Sequence, residues 1–150
     1  MRSTNTILMV DDNPDFVALA KRAIGKAQIV NPVVVAEDGA EALDYLFATG
    51  AFAGRSPETD PILVLLDLKL PRIGGLEVLR RLRAEPRTKH LPVVILTSSV
   101  EEQDRVTGYD LGCNSYIRKP VNFEKLAEAI RLLGMYWLIL NEPPVMPGGA

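Results

Sequence analysis

The chain has one cysteine, Cys113, so no disulfide framework can close within it, which fits a reducing compartment. It has no basic excess: 17 Lys and Arg stand against 19 Asp and Glu, a net charge of −2. A nonspecific nucleic-acid binder needs such an excess to displace phosphate counterions, so that class is excluded. The stretch Met1–Thr6 carries no apolar signal core, and no run is apolar for the length of a membrane span. No internal repeat or low-complexity tract is evident. These absences predict a small cytoplasmic protein with no nucleic-acid or membrane partner. At 150 residues it should form one domain. Burial of about 70% of the unfolded surface then supports a core without staples.

What is present is an alternation. Short β-rich apolar runs occur at Ile7–Val10, Val33–Ala36, Ile62–Leu66, Val93–Leu96 and, more weakly, Ser115–Ile117. Runs apolar throughout suit strands covered on both faces. Helical spacing lies between them. Phe16, Leu19, Ala20, Ala23 and Ile24 share one face, after an N-cap at Asn13 and a first-turn Pro14. Ala42, Leu43, Leu46 and Phe47 repeat the pattern, as do Leu76, Leu79 and Leu82, with Arg80, Arg81 and Arg83 turned to water. The stretch Glu101–Leu111 makes a poor helix, weakened by Gly108. The last helix starts near Phe123 and carries Leu126, Ala127, Ile130 and Leu133. Five β-α units predict an α/β fold: a doubly wound parallel sheet with right-handed crossovers and helices on both faces. Thr49–Pro61 reads as a long surface loop.

In such sheets ligands bind beyond the carboxyl ends of the strands. The first strand ends in Asp11-Asp12, the third in Asp67, the fourth in Thr97-Ser98, and Lys119-Pro120 follows the fifth. Three gathered carboxylates repel one another. A hard divalent cation relieves that repulsion, and Mg²⁺ prefers oxygen ligands. A carboxylate facing such an ion can become an aspartyl phosphate. Asp11 and Asp12 then supply metal ligation, Asp67 is the nucleophile, and Lys119 and Thr97 hold phosphoryl oxygens.

Val10-Asp11-Asp12, Leu66-Asp67-Leu68-Lys69-Leu70-Pro71 with Gly74-Gly75, Leu96-Thr97-Ser98 and Tyr116-Ile117-Arg118-Lys119-Pro120 together resemble the CheY-like receiver domain of two-component response regulators. Order and spacing match over about Thr6–Leu133. The resemblance implies the flavodoxin-like (βα)5 architecture with strand order 2-1-3-4-5. It implies that Asp67 accepts phosphate from a phosphohistidine on a sensor histidine kinase. It makes Asp11, Asp12, Asp67 and the backbone carbonyl of Lys69 the Mg²⁺ ligands. Thr97 becomes the switch hydroxyl, and Tyr116 the aromatic that swings inward with it. Lys119 contacts the phosphate, with a cis bond to Pro120, and small Ser98 leaves room for the phosphoryl group. The signal would emerge on the fourth helix and fifth strand, for partner binding or phosphorelay. Lys69 and Ser99 depart from the commonest pattern and flank the path of a hydrolytic water. The long loop, the Asn114-Ser115-Tyr116 lead-in and the apolar last helix are similar to stand-alone receivers paired with bacterial phytochromes, which would make a bacteriophytochrome the kinase. Two other readings stay open here: an Mg²⁺-dependent phosphoester hydrolase with an aspartyl nucleophile, and a scaffold without phosphoryl chemistry. The hydrolase pattern wants Asp-x-Asp after the first strand, whereas this strand ends Asp11-Asp12-Asn13.

On this reading residues 1–141 form a single receiver domain, its last helix extended by the segment 135–141. Residues 142–150 form a Pro/Gly-rich arm. Met135–Leu140 is apolar on every side, where a surface helix should show a polar face. It therefore predicts a homodimer contact centred on Tyr136, Trp137 and Leu140 and extended by the arm. The alternative is an intramolecular cap on the first helix. His90 has no second ligand at metal-binding spacing and reads as a surface histidine. Cys113 reads as a small buried hydrophobe.

Overall fold

The computed structural model describes residues 5–119 and 122–140, with backbone only at 139 and 140. Five parallel strands, β1 (Thr6–Val10), β2 (Val33–Ala36), β3 (Pro61–Leu66), β4 (Val93–Thr97) and β5 (Ser115–Arg118), form one sheet in the order 2-1-3-4-5. Five helices alternate with them: α1 (Pro14–Lys26), α2 (Gly39–Phe47), α3 (Gly75–Ala84), α4 (Glu102–Asp110) and α5 (Phe123–Leu133). This is the flavodoxin-like architecture that the motifs imply.

The sheet separates two apolar cores because successive strand residues point to opposite faces. Leu8, Val10, Val64, Leu66 and Ile95 meet α2 and α3 through Leu43, Leu46, Val78, Leu79 and Leu82. Ile7, Met9, Leu63, Leu65 and Leu96 meet α1 and α5 through Phe16, Ala20, Ile24, Leu126 and Ile130. Central strands buried on both sides account for the continuous apolar runs.

Helix starts follow local chemistry. The Asn13 side chain accepts hydrogen bonds from the Asp15 and Phe16 amides, Asp38 from Glu41, and Asn122 from Lys125. Each satisfies a backbone donor that the first turn leaves open. The Glu101 side chain supplies no such bond to α4, and within α4 only Gly108 is buried.

Three features depart from expectation. The Thr49–Pro61 loop contains two 3-10 turns, Gly50–Phe52 and Pro57–Thr59, and is tied to α2 by its own Arg55. That guanidinium donates to the Tyr45 carbonyl, pairs with Asp60 at 2.7 Å and lies over the Tyr45 ring. Arg83 is not solvated: it donates to the carbonyls of Gly112 and Leu91 and to Asn114 Oδ1, tying α3 to the turn before β5. Arg80 and Arg81 do face outward, paired with Glu77.

The third departure concerns the apolar segment. Gly134–Leu140 continues α5 as a π-helix and is not bare on all sides. Leu138 is buried and Trp137 packs beside it on the α1–α5 core, whereas Met135 and Tyr136 are exposed. Gly134 permits this seating, because a Cβ there would come within 2.5 Å of Ile29 Cδ1. The segment thus contributes both an intramolecular seat and an outward face. The Leu140 side chain, the arm at 142–150 and Pro120, with its proposed cis bond, lie outside the described residues.

Candidate functional site

Strand register brings the acids together. Val10 is opposite Leu66, so the residues that follow, Asp11 and Asp67, are neighbours. The Asp67 amide continues the ladder by donating to the Val10 carbonyl at 3.0 Å. On the other side Thr97 is opposite Arg118, and the Lys119 amide donates to the Thr97 carbonyl at 2.7 Å. Gly75 keeps the Asp67 loop tight: a Cβ there would lie 2.1 Å from the Asp67 carbonyl oxygen.

Carboxylate oxygens of Asp11, Asp12 and Asp67 all lie within 4.8 Å of one another, with Asp11 and Asp67 buried and Asp12 exposed. The Lys119 ammonium bridges two of them, at 2.8 Å from Asp11 Oδ2 and 3.2 Å from Asp67 Oδ2. Each buried acid has a further backbone donor: Asn13 N–H to Asp11 Oδ1 at 2.9 Å, and Leu68 N–H to Asp67 Oδ1 at 2.7 Å. Desolvation dominates at Asp11 and raises its pKa, despite Lys119 and the Asn13 amide. At Lys119 burial acts downward, but the bonds and charges of Asp11 and Asp67 outweigh it, and the pKa rises. The site therefore gathers more negative charge than its single ammonium can neutralise. Its donors are hard carboxylate oxygens, two of them withdrawn from water, which suits a hard dication.

The remaining residues are arranged around this cluster. Thr97 is fully buried at the end of β4, where its hydroxyl oxygen accepts from the Ser99 amide at 3.2 Å. Ser98 is exposed beside it. Tyr116 does not touch the acids. It packs on the α2–α3 core, with its hydroxyl buried beside Ser99. Burial raises the pKa of that phenol. Lys69 points its ammonium at α4, 3.4 Å from Asp104 Oδ2 and 3.9 Å from Glu101 Oε1. Ser99 donates to the same Asp104 oxygen at 2.7 Å. His90 is exposed and Cys113 buried, as expected.

Two participants escape a reading of the motifs. Phe16, which helical spacing assigns to the core, lies under Lys119, its ring centroid 4.3 Å from Nζ. Its place in the first turn of α1, just beyond the acidic pair, was the available signal. Asp104 takes two polar contacts from the site loops, and nothing in its local sequence marks it.

Fold and cluster define a class: a doubly wound α/β domain with an acidic pocket suited to a cation, a buried carboxylate and a lysine at the carboxyl edge of its sheet. The family model for the response regulator receiver domain matches residues 7–131. The chain belongs to that family. It is 33% identical over 132 residues to the response regulator Rcp1 of Synechocystis sp., covering 88% of each chain. The crystal structure of the Mn²⁺-bound form of Rcp1 superposes with a TM-score of 0.83 at 32% identity, over 93% of this chain and 99% of that one. The phosphorylated cyanobacterial phytochrome response regulator RcpA matches with a TM-score of 0.86 at 35% identity, over 94% and 99% of the two chains. The bacteriophytochrome response regulator AtBRR is 51% identical, with a TM-score of 0.74 over 93% and 99%. As a receiver, the chain is a signalling domain and not a conventional enzyme.

Proposed function

We propose that Asp67 is the phosphoacceptor of this receiver, charged by a phosphohistidine of a sensor histidine kinase with Mg²⁺ bound at Asp11, Asp12, Asp67 and the Lys69 carbonyl. One observation carries the reading: three acid side chains remote in sequence converge within 4.8 Å, with Lys119 bridging the two buried ones. An Asp67 carboxylate oxygen forms the new bond to phosphorus as the phosphorus–nitrogen bond breaks. The imidazole nitrogen leaves with the bonding pair. Bound Mg²⁺ would neutralise charge on the transferring phosphoryl oxygens. Lys119 holds one of those oxygens, Thr97 turns its hydroxyl to another, and exposed Ser98 leaves space. The Leu68 amide keeps Asp67 oriented throughout.

The gain of charge is read at α4 and β5. Lys69 and Ser99 bind Asp104 of α4, and Tyr116 packs beneath that helix near Gly108. Adding roughly −1.5 to −2 charges, as an ordinary phosphoresidue does, competes for Lys69 and draws on Thr97. That favours partner binding or onward phosphorelay from this face.

The kinase is a bacterial phytochrome, a reading supported by the names of RcpA and AtBRR. The protein works in the cytoplasm, and among the described residues no helix is long and apolar enough to cross a membrane. Residues 1–141 act as one receiver domain with 142–150 as an arm. A homodimer forms through Tyr136, Trp137 and Leu140. Tyr136 is 52% exposed and, with Trp137, Leu132 and Ile117, lines a groove of about 520 Å³ beside edge strand β5. Tyr136→Lys should convert a dimer to a monomer in sedimentation, and an unchanged mass would remove this contact.

The phosphoacceptor is tested by incubating the chain with Mg²⁺ and acetyl phosphate and weighing it. One phosphoryl adduct should form and be absent in Asp67→Asn. Steady phosphoester turnover without an adduct would instead identify a hydrolase.

A further inference from the structure

We infer that Phe16 is a positioning residue for phosphoryl capture, holding the Lys119 ammonium over the face of its ring. The inference rests on the proposed role of Asp67. Lys119 Nζ is 4.3 Å from the ring centroid while also bonding Asp11 and Asp67. Both side chains are withdrawn from water: Phe16 is 8% exposed and the Lys119 side chain 12%. An ammonium there is attracted by the negative face of the ring, more strongly for being partly desolvated.

The ring supplies something the carboxylates cannot. Asp11 and Asp67 serve both the ammonium and a dication, so cation uptake weakens their hold on Lys119. An uncharged ring is a poor ligand for a hard dication, which takes oxygen. Its contact with Lys119 therefore persists when the acids are drawn to the metal, and the ammonium stays where a phosphoryl oxygen will arrive. Asn13 fixes the two parts together. Its side chain accepts the Phe16 amide at 3.2 Å, and its own amide donates to Asp11 at 2.9 Å. The ring and the acid it assists are thus set by one residue. The other described cation–aromatic pairs, Arg22 and Lys26 with Phe123 and Arg55 with Tyr45, lie away from the acids.

The test replaces Phe16 with phenylalanines bearing one, two and three ring fluorines, which progressively cancel the negative face and largely preserve shape. Each full-length variant is phosphorylated by acetyl phosphate with Mg²⁺. Asp67 oxygen bonds to phosphorus as the acyl oxygen–phosphorus bond breaks, and acetate leaves with the pair. The logarithm of the rate should fall stepwise with fluorination. Phe16→Leu should be slower by about 3- to 30-fold, the range of such contacts, with Mg²⁺ affinity not reduced. In NMR spectra the Lys119 ε-methylene protons should carry a ring-current shift that Phe16→Leu abolishes. Equal rates along the series, with adduct still forming on Asp67, would overturn the inference alone. A wild-type chain that never gains the adduct would overturn the function and this role with it.

Discussion

Helices α4 and α5 flank the same edge strand, β5, yet they are held by different forces. α5 buries Leu126, Ala127 and Ile130 against α1 and the sheet. α4 buries only Gly108 and leaves Val106 and Tyr109 exposed. Its first turn is instead tied to the site loops, through Asp104 to Lys69 and Ser99. Apolar burial is strong and indifferent to events at the acids, whereas polar contacts are weak and shared with the site. The contrast teaches that α4 is secured largely by polar groups it shares with the loops around the acids, whereas α5 is secured by apolar burial.

The largest expected effect breaks the contrast at its strong end. Leu126, 2% exposed, should cost about 2–5 kcal/mol on replacement by alanine, as buried leucines do. Val106→Ala in α4, at 47% exposure, should stay within about 0.5 kcal/mol. Denaturant unfolding of both variants checks this, and comparable losses would dissolve the distinction. Next comes the cation. Mg²⁺ at a hundred times its dissociation constant should stabilise the folded chain by about 2.7 kcal/mol if it binds only that state. Thermal unfolding should show no such gain in a variant with both Asp11 and Asp67 changed to asparagine.

Smaller effects sharpen the comparison. Asp104→Asn should lower global stability by no more than about 1 kcal/mol, since Lys69 is largely exposed. Amide exchange should nevertheless quicken across α4 and stay unchanged in α5. Equal protection in α4 would mean that the Asp104 contacts do not hold it. The smallest effect is on pH. The folded pKa of Asp11 is raised above its ordinary 3.8 by burial. The folded state then holds the proton more tightly than the unfolded one. Its contribution to stability is present below about 3.8 and is lost as pH rises through the folded value. Acid-range unfolding of the cation-free chain should show this slope, and Asp11→Asn should lack it.

Much of this was legible in the sequence because its causes are local. Val93–Leu96 reads as a buried strand from its own residues, and Asn13-Pro14 announces α1 by cap chemistry. Asp11, Asp67, Thr97 and Lys119 could be placed together because strand ends in a parallel sheet share one edge. Strand order came from family motifs, since no periodicity encodes it. Long-range polar ties were not legible. Arg83 looks like its solvated neighbours Arg80 and Arg81 until the turn at Gly112 is folded against it. Arg55 in a loop of small residues gives no sign of its seat over Tyr45. Leu138 and Tyr136 stand in the same apolar run of the sequence, and only the folded segment shows one seated on the α1–α5 core and the other facing outward.

The most direct test of a phosphoacceptor at Asp67 read out through α4 is hydrogen exchange by mass spectrometry on the Mg²⁺-bound chain, before and after acetyl phosphate. With the adduct verified by mass, exchange should change across Glu102–Asp110 and Ser115–Arg118 and remain the same across the first two turns of α5. A verified adduct that leaves α4 unchanged, or alters α4 and α5 alike, would contradict it.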